Sequence, residues 1–369
     1  MRLRRKILIG IGSFVVLSFA TLAIVLSYES RCPAPLSPAA GKATMRAIMH
    51  RCYGTPSEAL RLETVEKPTP GDGQLLIRVR ASSVNPAQWY GATGQPRLVR
   101  LMNGIGAPKL PRIGFDMAGV VEAIGPNVTL FEVGDEVYGG VGGAFSEYVI
   151  AREKGSIVLK PKNLSFEEAA AIPIAAVTAL QGLRDNGHIT AGQHVLINGA
   201  SGGVGTYAVQ IAKAFGAEVT GVCSTRNVEL VKSAGADHVI DYTQVDFTKG
   251  NTRYDLILDN VGNHGYFKLA KVTSLHGIIV TVGGSKSEPF LGPIWRIAWR
   301  QVVSHFIDQP MPFFIAKINK PDLQLLADFA RQGKLRTFID RRYPLEQTGA
   351  ALDYLGTQRA RGKVVVTVD

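Results

Sequence analysis

A buried strand that runs directly into a glycine-rich turn and an amphipathic helix is the feature that most constrains the fold of this chain. The strand is HVLIN, and the turn ASGGVG follows it from Ala200 to Gly205. Adjacent glycines let backbone amides approach a phosphate, and the last glycine lets the helix pack against its strand. The amino end of the helix favours the negative charge of a pyrophosphate. A tight turn in an ordinary sheet protein is the alternative, but both flanks favour a dinucleotide site.

The next strand, AEVTGVC, ends at three residues that predict which dinucleotide binds. These residues are Ser224, Thr225 and Arg226. An acidic residue here would hydrogen-bond the 2′-hydroxyl of NAD and repel a 2′-phosphate. Hydroxyls and a guanidinium suit a phosphate instead, because arginine presents a fork of donors and always carries charge. The sequence therefore predicts NADP(H), and the alternative is that Arg226 is merely a solvated residue at a strand end. The residues expected on the pyrophosphate are Ala200, Ser201, Gly202, Gly203, Val204 and Gly205.

The rest of the chain shows two patterns. From Met45 to about Lys160, short apolar or alternating segments lie between Gly and Pro residues, which predicts an irregular β domain. SFEEAAAIPIAAVTALQGL starts with a capping box of Ser165 and Glu168 and runs apolar at helical spacing, which predicts a helix. Strands then alternate with helices, which predicts a doubly wound parallel sheet. The last segments return to short strands and are expected to rejoin the first domain. The predicted fold class is therefore α/β.

The amino-terminal residues form a separate unit. Four basic residues precede Ile7–Tyr28, a stretch of 22 residues without a charge. As a helix this stretch would be about 33 Å long, enough to cross a bilayer, so it predicts a single membrane anchor. A secretory signal peptide and a translation start at Met45 are the alternatives. The positive-inside rule places the globular part outside the cytoplasm, whereas the cytoplasmic supply of NADPH favours the cytoplasmic face, to which the prediction leans slightly.

Composition excludes other classes of protein. The chain has 369 residues, of which 46% are hydrophobic and 19% charged, a globular composition with ample core. The net charge of +11 is scattered rather than gathered in a stripe, so no nucleic-acid partner is expected. The three cysteines, Cys32, Cys52 and Cys223, are widely spaced. Their spacing argues against a disulfide framework and against a zinc site built from cysteines.

Several segments together resemble the medium-chain dehydrogenase/reductase superfamily, in particular its zinc-free quinone oxidoreductase branch, which includes zeta-crystallin-like enzymes. The segments are RASSVNPAQW, GFDMAGVVEAIG, VGDEVYG, GGAFSEYV, AAAIPIAAVTAL, the glycine-turn region, GADHVIDY and RARGKVVV. The resemblance covers about Met45 to Asp369. It implies a GroES-like β domain with a Rossmann domain inserted before its final strands, a cleft between them, and a possible homodimer. The expected units are a membrane anchor (1–28), a linker (29–44), the GroES-like catalytic domain (45–164), the Rossmann domain (165–310) and a return to the catalytic domain (311–369).

Zinc alcohol dehydrogenases share this fold, and the sequence argues against that reading. Such an enzyme would have a cysteine within SVNPAQW, and it would have His-Glu where this chain has Phe115 and Asp116. A zinc site needs three or four converging ligands, so no metal site is predicted. Short-chain reductases are excluded as well, because no tyrosine is followed by lysine four positions later.

Without zinc or a Tyr/Lys pair, a conjugated substrate is more suitable than a simple carbonyl. Hydride addition to an enone or a quinone leaves charge on an oxygen, which needs only hydrogen-bond donors and a proton. The expected activity is therefore NADPH-dependent reduction of a small conjugated carbonyl or quinone. The alternative is an NADPH-binding scaffold or regulatory protein with little turnover.

The resemblance also implies individual site residues. Asn85 and Tyr90 of NPAQWY are expected to face the cleft and position the substrate oxygen, with Tyr90 as a candidate proton donor. Four further residues resemble positions that contact the cofactor: Thr178, beside the nicotinamide, and Tyr242, Arg361 and Lys363.

One amphipathic segment is not explained by these motifs. Its predicted apolar face consists of Trp295, Ala298, Trp299, Val302, Val303 and Phe306. The face is expected to pack on the other domain or on a sister subunit. The alternative is a helix that lies at a membrane interface, because tryptophan with flanking arginine suits the headgroup layer.

Overall fold

A five-stranded and a seven-stranded sheet organise the chain in the computed structural model, which describes residues 21–283 and 293–369. The strands are β1 (Thr44–His50), β2 (Leu60–Glu66), β3 (Gln74–Ser83), β4 (Asp116–Ile124), β5 (Glu136–Gly140), β6 (Tyr148–Arg152), β7 (Ile157–Leu159), β8 (His194–Asn198), β9 (Glu218–Cys223), β10 (His238–Asp241), β11 (Tyr254–Asp259), β12 (Thr273–Thr281), β13 (Ile339–Pro344) and β14 (Lys363–Thr367). The α-helices are α1 (Pro56–Ala59), α2 (Pro86–Thr93), α3 (Arg100–Asn103), α4 (Phe166–Ala170), α5 (Pro173–Gln181), α6 (Gly203–Ala214), α7 (Val228–Ser233), α8 (Tyr266–Lys271), α9 (Pro293–Val303), α10 (Lys320–Arg331) and α11 (Thr348–Gly356). Residues 21–27 are also helical.

The five-stranded sheet is parallel throughout, in the order β10-β9-β8-β11-β12. Its central strand β8 is buried from Val195 to Asn198, which agrees with the apolar run of HVLIN. The strand order reverses between β8 and β11. In doubly wound sheets, the crevice at the carboxyl ends of the strands beside such a reversal is where ligands bind. The glycine turn follows β8 at this edge.

The seven-stranded sheet has the order β13-β14-β3-β4-β5-β7, and β6 pairs with β3 as well. All its pairs are antiparallel except β13 with β14. Because β13 and β14 come from the last residues of the chain, the carboxyl terminus returns to the sheet that the earlier segments begin. β1 and β2 form a separate antiparallel hairpin. Single bridges connect β1 to the loops beside this sheet, from Ala47 to Ser146 and from Met49 to Arg112. The domain boundaries expected from the sequence stay a prediction.

The long apolar run after Ser165 is divided rather than continuous. Its capping box is confirmed, because the Ser165 amide donates to Glu168 Oε2 (2.8 Å) and the Glu168 amide donates to Ser165 Oγ (3.1 Å). Helix α4 then ends, and α5 begins with Pro173 in its first turn. Proline has no amide hydrogen and tolerates only the first turn of a helix, so it ends one helix and starts the next.

The expectation of a membrane anchor is corrected by the structure. Part of the predicted span, residues 7–20, lies outside the described residues. Among residues 21–283 and 293–369, no helix combines the length and the apolar composition that crossing a bilayer requires. Near the end of the predicted span, Leu26 is fully buried, and the buried Arg100 donates to the backbone oxygens of Leu26 and Tyr28. These residues are therefore docked on protein, and the predicted single-pass membrane location is wrong.

A disulfide joins Cys32 to Cys52, with the Cα atoms 4.9 Å apart. Cys223 is buried and free. The spacing of the cysteines did not indicate this pair, because a separation of 20 residues does not show how the chain folds back. The disulfide attaches the predicted linker to the segment that follows β1.

Helix α9 carries only part of its predicted apolar face into the core. Val303 is buried, whereas Trp299, Val302 and Phe306 are 45%, 48% and 73% exposed. The side chain of Trp295 lies outside the described residues. Within the single chain, most of the described part of this face therefore does not pack on the other domain, and the homodimer stays a prediction.

Candidate active site

The glycine turn leaves the amino end of α6 open. Gly202 is the N-cap residue, and among the described residues no side chain caps the helix there. A Cβ atom on Gly205 would lie 2.7 Å from the Ala200 Cα and would collide with the Gly199 carbonyl oxygen. Only glycine therefore allows this helix to approach its strand so closely. The open first turn offers backbone N–H groups and the positive end of the helix dipole, which suits a pyrophosphate.

The segment before β14 lies across this turn. Gly202 and Gly362 form a parallel bridge, and the Gly362 amide donates to the Ser201 carbonyl oxygen at 2.9 Å. The aliphatic part of Lys363 covers Gly203, since a Cβ atom on Gly203 would lie 3.2 Å from the Lys363 Cδ. The predicted RARGK and glycine-turn residues are thus brought into contact although they lie far apart in the sequence.

The ammonium group of Lys363 reaches the other domain's residues. It donates to Asn85 Oδ1 at 2.6 Å and lies 3.7 Å from Asp116 Oδ2. Lys363 is 3% exposed, and Asp116 is fully buried. Lys363 therefore extends from the glycine turn to the start of α2, and it links the predicted cofactor residues to one of the predicted substrate-facing residues.

Asp116 is the junction of this polar cluster. Its Oδ2 accepts from Ser83 Oγ (2.8 Å) and from Asn85 Nδ2 (2.8 Å), and its Oδ1 accepts from the Ile174 amide (3.0 Å). Burial raises the pKa of Asp116 above its ordinary value, against the opposing effect of the Lys363 ammonium. Burial likewise lowers the pKa of Lys363. A pair this deeply buried is tolerable only because neighbouring groups satisfy its hydrogen bonds.

Asn85 and Tyr90 lie on the same helix but have different surroundings. Asn85 is the N-cap of α2, and its backbone amide donates to Gln88 Oε1 at 2.6 Å. Both ends of its amide are engaged, the oxygen by Lys363 and the nitrogen by Asp116. Tyr90 is five residues further on, about 140° around an ideal helix, so it presents a different face. Its ring stands edge to face with Trp89 (5.4 Å between centroids), and burial raises its pKa above the usual value near 10.

Thr178 is placed by the same cluster. Its hydroxyl donates to the Ile174 carbonyl oxygen at 2.6 Å, one turn earlier in α5. The Ile174 amide in turn donates to Asp116. Asp116 therefore fixes the first turn of α5 as well as the start of α2.

The residues after β9 are held in a network of hydroxyl and amide groups. Asn227 Nδ2 donates to Ser201 Oγ (3.0 Å) and to Ser224 Oγ (3.2 Å). Thr225 Oγ1 donates to Asp241 Oδ2 at 2.6 Å, and this hydrogen bond is the main cause of a lowered pKa at Asp241. Ser224 thus lies beside the glycine turn, and an acidic residue from the neighbouring strand stands close to Thr225.

Two arginine side chains next to these residues, Arg226 and Arg361, each contact a backbone oxygen of the other's segment. The Arg226 guanidinium donates to the Arg359 carbonyl oxygen at 2.9 Å, and Arg361 Nη2 approaches the Arg226 carbonyl oxygen at 3.5 Å. The Tyr242 amide donates to the Cys223 carbonyl oxygen at 3.0 Å, and the Tyr242 side chain is 54% exposed. The structure therefore brings Arg226, Arg361 and Tyr242 to the edge of the sheet where the glycine turn lies.

Two acidic residues of this region were not among the predicted site residues. Asp116 appeared in the sequence only as a residue that stands where a zinc enzyme has glutamate. Its signal was a lone acid at the start of the apolar run MAGVV. Asp241 ends the segment DHVID, and its closeness to Thr225 depends on the pairing of β9 with β10. The sequence alone does not show which strands are neighbours.

The site does not suit zinc. Among the described residues, no group of three or more His, Cys, Asp or Glu side chains converges as metal ligands. The position expected to supply ligands in a zinc enzyme holds Phe115, which has no donor atom, and Asp116. The Asp116 carboxylate is occupied by Ser83, Asn85, the Ile174 amide and Lys363.

Comparison with known proteins agrees with this architecture. A family model described as "Alcohol dehydrogenase GroES-like domain" matches residues 71–162, and one described as "Zinc-binding dehydrogenase" matches residues 234–366. The 2-methylene-furan-3-one reductase of Solanum lycopersicum is 34% identical over 87% of this chain and 79% of its own length. The chain belongs to the quinone oxidoreductase-like branch of the medium-chain dehydrogenase/reductase superfamily.

Further relatives match a similar share of this chain. The chloroplastic NADPH-dependent alkenal/one oxidoreductase of Arabidopsis thaliana is 32% identical over 87% of this chain and 79% of its own. The solved structure of the quinone oxidoreductase from Coxiella burnetii has a TM-score of 0.75 and 29% identity, and the match covers 88% of this chain and 100% of that one. The predicted family, the fold of GroES-like and Rossmann domains, and an oxidoreductase of this superfamily are confirmed. The family uses a nicotinamide cofactor, which the open amino end of α6 fits.

Proposed function

We propose that this oxidoreductase reduces quinones and α,β-unsaturated carbonyls with NADPH and without zinc. The observation that carries the proposal is the path of Lys363. This side chain covers the glycine turn and then bonds Asn85 at the start of α2, so the cofactor-side turn and the substrate-side helix meet at one buried contact. The names of the relatives, which include a methylene-furanone reductase, an alkenal/one oxidoreductase and a quinone oxidoreductase, support this substrate class.

The groups of this site suit a conjugated acceptor. When bound, NADPH supplies the hydride. The chain itself has to hold the substrate oxygen, which becomes negative as a conjugated acceptor is reduced, and a neutral hydrogen-bond donor is sufficient for that task. Because burial raises the pKa of Tyr90, its phenol stays protonated at neutral pH and can donate to the substrate oxygen.

Asn85 has a positioning role in this proposal. Its amide oxygen accepts from Lys363 and its amide nitrogen donates to Asp116. Both ends of the side chain are therefore engaged by protein, and we assign neither to the substrate. As the N-cap of α2, Asn85 sets where the helix begins and therefore where Tyr90 lies. The Asp116–Lys363 pair holds Asn85 in place and keeps α2 in register with the glycine turn.

The preference for NADPH rests on the residues after β9. Ser224, Arg226 and Arg361 lie together beside the glycine turn, where the ribose of a dinucleotide is expected. Arg226 supplies a charged fork of donors, which suits a 2′-phosphate. The name of the Arabidopsis relative includes NADPH, which supports this assignment. Asp241 points its carboxylate at Thr225 rather than at this basic pair.

A turnover screen tests the function. The purified full-length chain would be mixed with NADPH and with 1,4-benzoquinone, 9,10-phenanthrenequinone or 3-penten-2-one, and the loss of NADPH absorbance would be followed before and after treatment with a chelator. Turnover that survives chelation is expected. Tight NADPH binding without turnover of any acceptor would instead favour the scaffold or regulatory alternative.

A single variant tests the role of Tyr90. Tyr90→Phe removes only the phenolic hydroxyl, and kcat/KM is expected to fall by roughly a hundredfold or more. The matched control is Tyr254→Phe, because Tyr254 lies at the amino end of β11, opposite the edge that carries the glycine turn. Equal kinetics in the two variants would remove Tyr90 from the mechanism.

A further inference from the structure

The N-terminal strap (residues 26–32) lies against the loop after α2, which is residues 94–106 and includes the single helical turn α3. The Ser30 amide donates to the Gly106 carbonyl oxygen at 3.0 Å, and Glu29 forms a bridge with Gly106. Ser27 accepts a hydrogen bond from Arg97 in the same loop. The strap precedes the residues that the family models match, which begin at residue 71. It is docked beside the substrate-side helix.

One buried arginine holds the strap in place. Arg100 is 1% exposed and belongs to α3. Its Nη1 donates to the carbonyl oxygens of Leu26 (3.0 Å) and Tyr28 (3.3 Å), and its Nη2 donates to Glu29 Oε1 at 2.7 Å. A buried guanidinium needs acceptors for its donors, and three of these acceptors come from the strap.

The same guanidinium holds the end of the helix that carries Tyr90. Arg100 Nε donates to the Gly94 carbonyl oxygen at 2.9 Å, and Nη2 approaches the Thr93 carbonyl oxygen at 3.4 Å. Thr93 is the last residue of α2, and Gly94 is its C-cap in the left-handed conformation. The last carbonyls of a helix lack partners within the helix, and a cation there is favourable. Arg100 thus connects the strap to the carboxyl end of α2, three residues beyond Tyr90.

The disulfide closes this arrangement from the other side. Cys32 ends the strap, and its partner Cys52 precedes Tyr53, whose hydroxyl donates to the Gly104 carbonyl oxygen at 2.8 Å. The Arg100 guanidinium lies over the Tyr53 ring, 4.6 Å from its centroid. Both cysteines therefore lie on segments that contact Arg100 or the loop after α2. The disulfide keeps the strap attached even when its hydrogen bonds open.

We propose that Arg100 is a positioning residue for Tyr90, and that the N-terminal strap, latched by the disulfide, keeps Arg100 in its working position. The proposal rests on the proposed function, because Tyr90 is placed there at the substrate oxygen. Release of the strap removes three acceptors from Arg100, which loosens the end of α2 and moves the phenol. Geometry at a reacting centre is sensitive to such small shifts. Cofactor binding, which depends on the glycine turn, is left unchanged.

Three variants of the full chain test this assignment. Arg100→Met removes the donors, Arg100→Lys keeps the charge without the fork, and Cys32→Ser with Cys52→Ser removes the latch alone. For a quinone or enone that the wild type reduces, Arg100→Met is expected to lower kcat/KM by roughly tenfold to a hundredfold. Arg100→Lys should recover part of that loss, and the double serine variant should show a smaller fall. The dissociation constant for NADPH should stay within about twofold of wild type in all three, because NADPH is expected at the glycine turn, which none of these variants changes.

A further variant keeps the proposal falsifiable. If Arg100→Met fails to fold, Glu29→Gln combined with the double serine variant tests the strap, because Glu29 is 47% exposed. Wild-type kcat/KM in that combined variant would overturn the proposal.

Hydrogen exchange separates failure of this proposal from failure of the proposed function. Amides of residues 87–93 should exchange faster in the strap variants than in the wild type, whether or not any acceptor is turned over. Faster exchange in the strap variants, when the wild type turns over no acceptor, would support the positioning role of Arg100 and the strap and reject the proposed activity. Unchanged exchange at α2 together with unchanged kinetics would reject that positioning role.

Discussion

The two sides of the site are built in different ways. The glycine turn is local, because one continuous segment supplies the strand, the turn, the helix and the residues after the next strand. The substrate side is assembled from a distance, since Asp116 bonds Asn85 across 31 residues and Ile174 across 58 residues. Lys363 reaches Asn85 across 278 residues. The cofactor side is therefore a property of a segment, whereas the substrate side is a property of the folded chain.

This difference has a consequence for how each side responds to mutation. On the cofactor side, close backbone packing is critical, so the sensitive positions are glycines. On the substrate side, buried polar groups depend on partners from other elements, so the sensitive positions come in pairs. Variants at the two residues of a buried pair are expected to have strongly coupled effects on stability, whereas a variant at a closely packed glycine is expected to act independently through a steric clash.

The largest effect is expected at the buried pair on the substrate side. Asp116→Asn leaves the Lys363 ammonium buried without its counter-charge and should lower the free energy of unfolding by about 3–5 kcal/mol. Combining Asp116→Asn with Lys363→Met removes both charges and should recover much of that loss. Urea unfolding of the two single variants and the double variant measures the coupling. Additive losses would show that the pair is not a unit, and the substrate side would then respond to mutation no differently from the cofactor side.

A pH-dependent effect is expected next to the strap. His50 is 4% exposed, and burial lowers its pKa from 6.5 to about 4. Between these values the unfolded chain binds the proton and the folded chain does not, so the free energy of unfolding falls as the pH drops through this range. The loss should approach about 3 kcal/mol when the pH has fallen to about 4.

The measurement for His50 is urea unfolding at pH 7 and at pH 4.5, for the wild type and for His50→Gln. The variant cannot take up this proton, so its stability should change less between the two pH values. An identical pH dependence in both proteins would assign the acid sensitivity to other groups.

On the cofactor side, a steric effect is expected. Gly205→Ala places a methyl group against the backbone of Gly199 and Ala200 and should cost about 1–3 kcal/mol of stability. The matched control is Gly203→Ala, whose methyl group would meet the flexible side chain of Lys363 at 3.2 Å and should cost less. Thermal and urea unfolding of the two variants compares them directly. A larger loss for Gly203→Ala would mean that contact with Lys363, rather than helix packing, limits this turn.

The smallest effect is expected at the edge of the cofactor site. Arg226→Asp replaces a donor to phosphate with an acceptor, so NADPH affinity should fall by roughly tenfold to a hundredfold while NADH affinity changes less. The matched control is Arg253→Asp, which makes the same charge change in the loop before β11. Titration of each protein with both cofactors measures the preference. Equal binding of NADPH and NADH by the wild type would contradict the assignment.

The match between prediction and structure follows the same division. The glycine turn, the capping box of Ser165 and Glu168, and the alternation of strands and helices all depend on neighbouring residues, and the structure has them. The helix expected after Ser165 is interrupted at Pro173, a local signal that the apolar run concealed. Asp116 could be seen as a lone acid in an apolar segment, but nothing local indicates that Lys363 and the Ile174 amide are its partners.

The amino-terminal segment shows most clearly what the sequence alone does not predict. Its uncharged run predicted a helix in a bilayer, because hydropathy is calculated from neighbouring residues alone. The described end of that run instead packs on Arg100, and the pairing of Cys32 with Cys52 was not expected from their spacing. Which residues cover an apolar segment depends on contacts that its own sequence does not contain.

The sequence by itself determined the family, the two types of sheet and the position of the glycine turn, because periodicity and turn chemistry act over a few residues. Tertiary structure alone decided that Lys363 joins the turn to Asn85, that Asp116 connects three elements, and that the strap is held by Arg100. Each of these contacts depends on long-range packing of segments that are remote in the chain. Burial then makes the contacts strong, because a charge removed from water must find its partners within the protein.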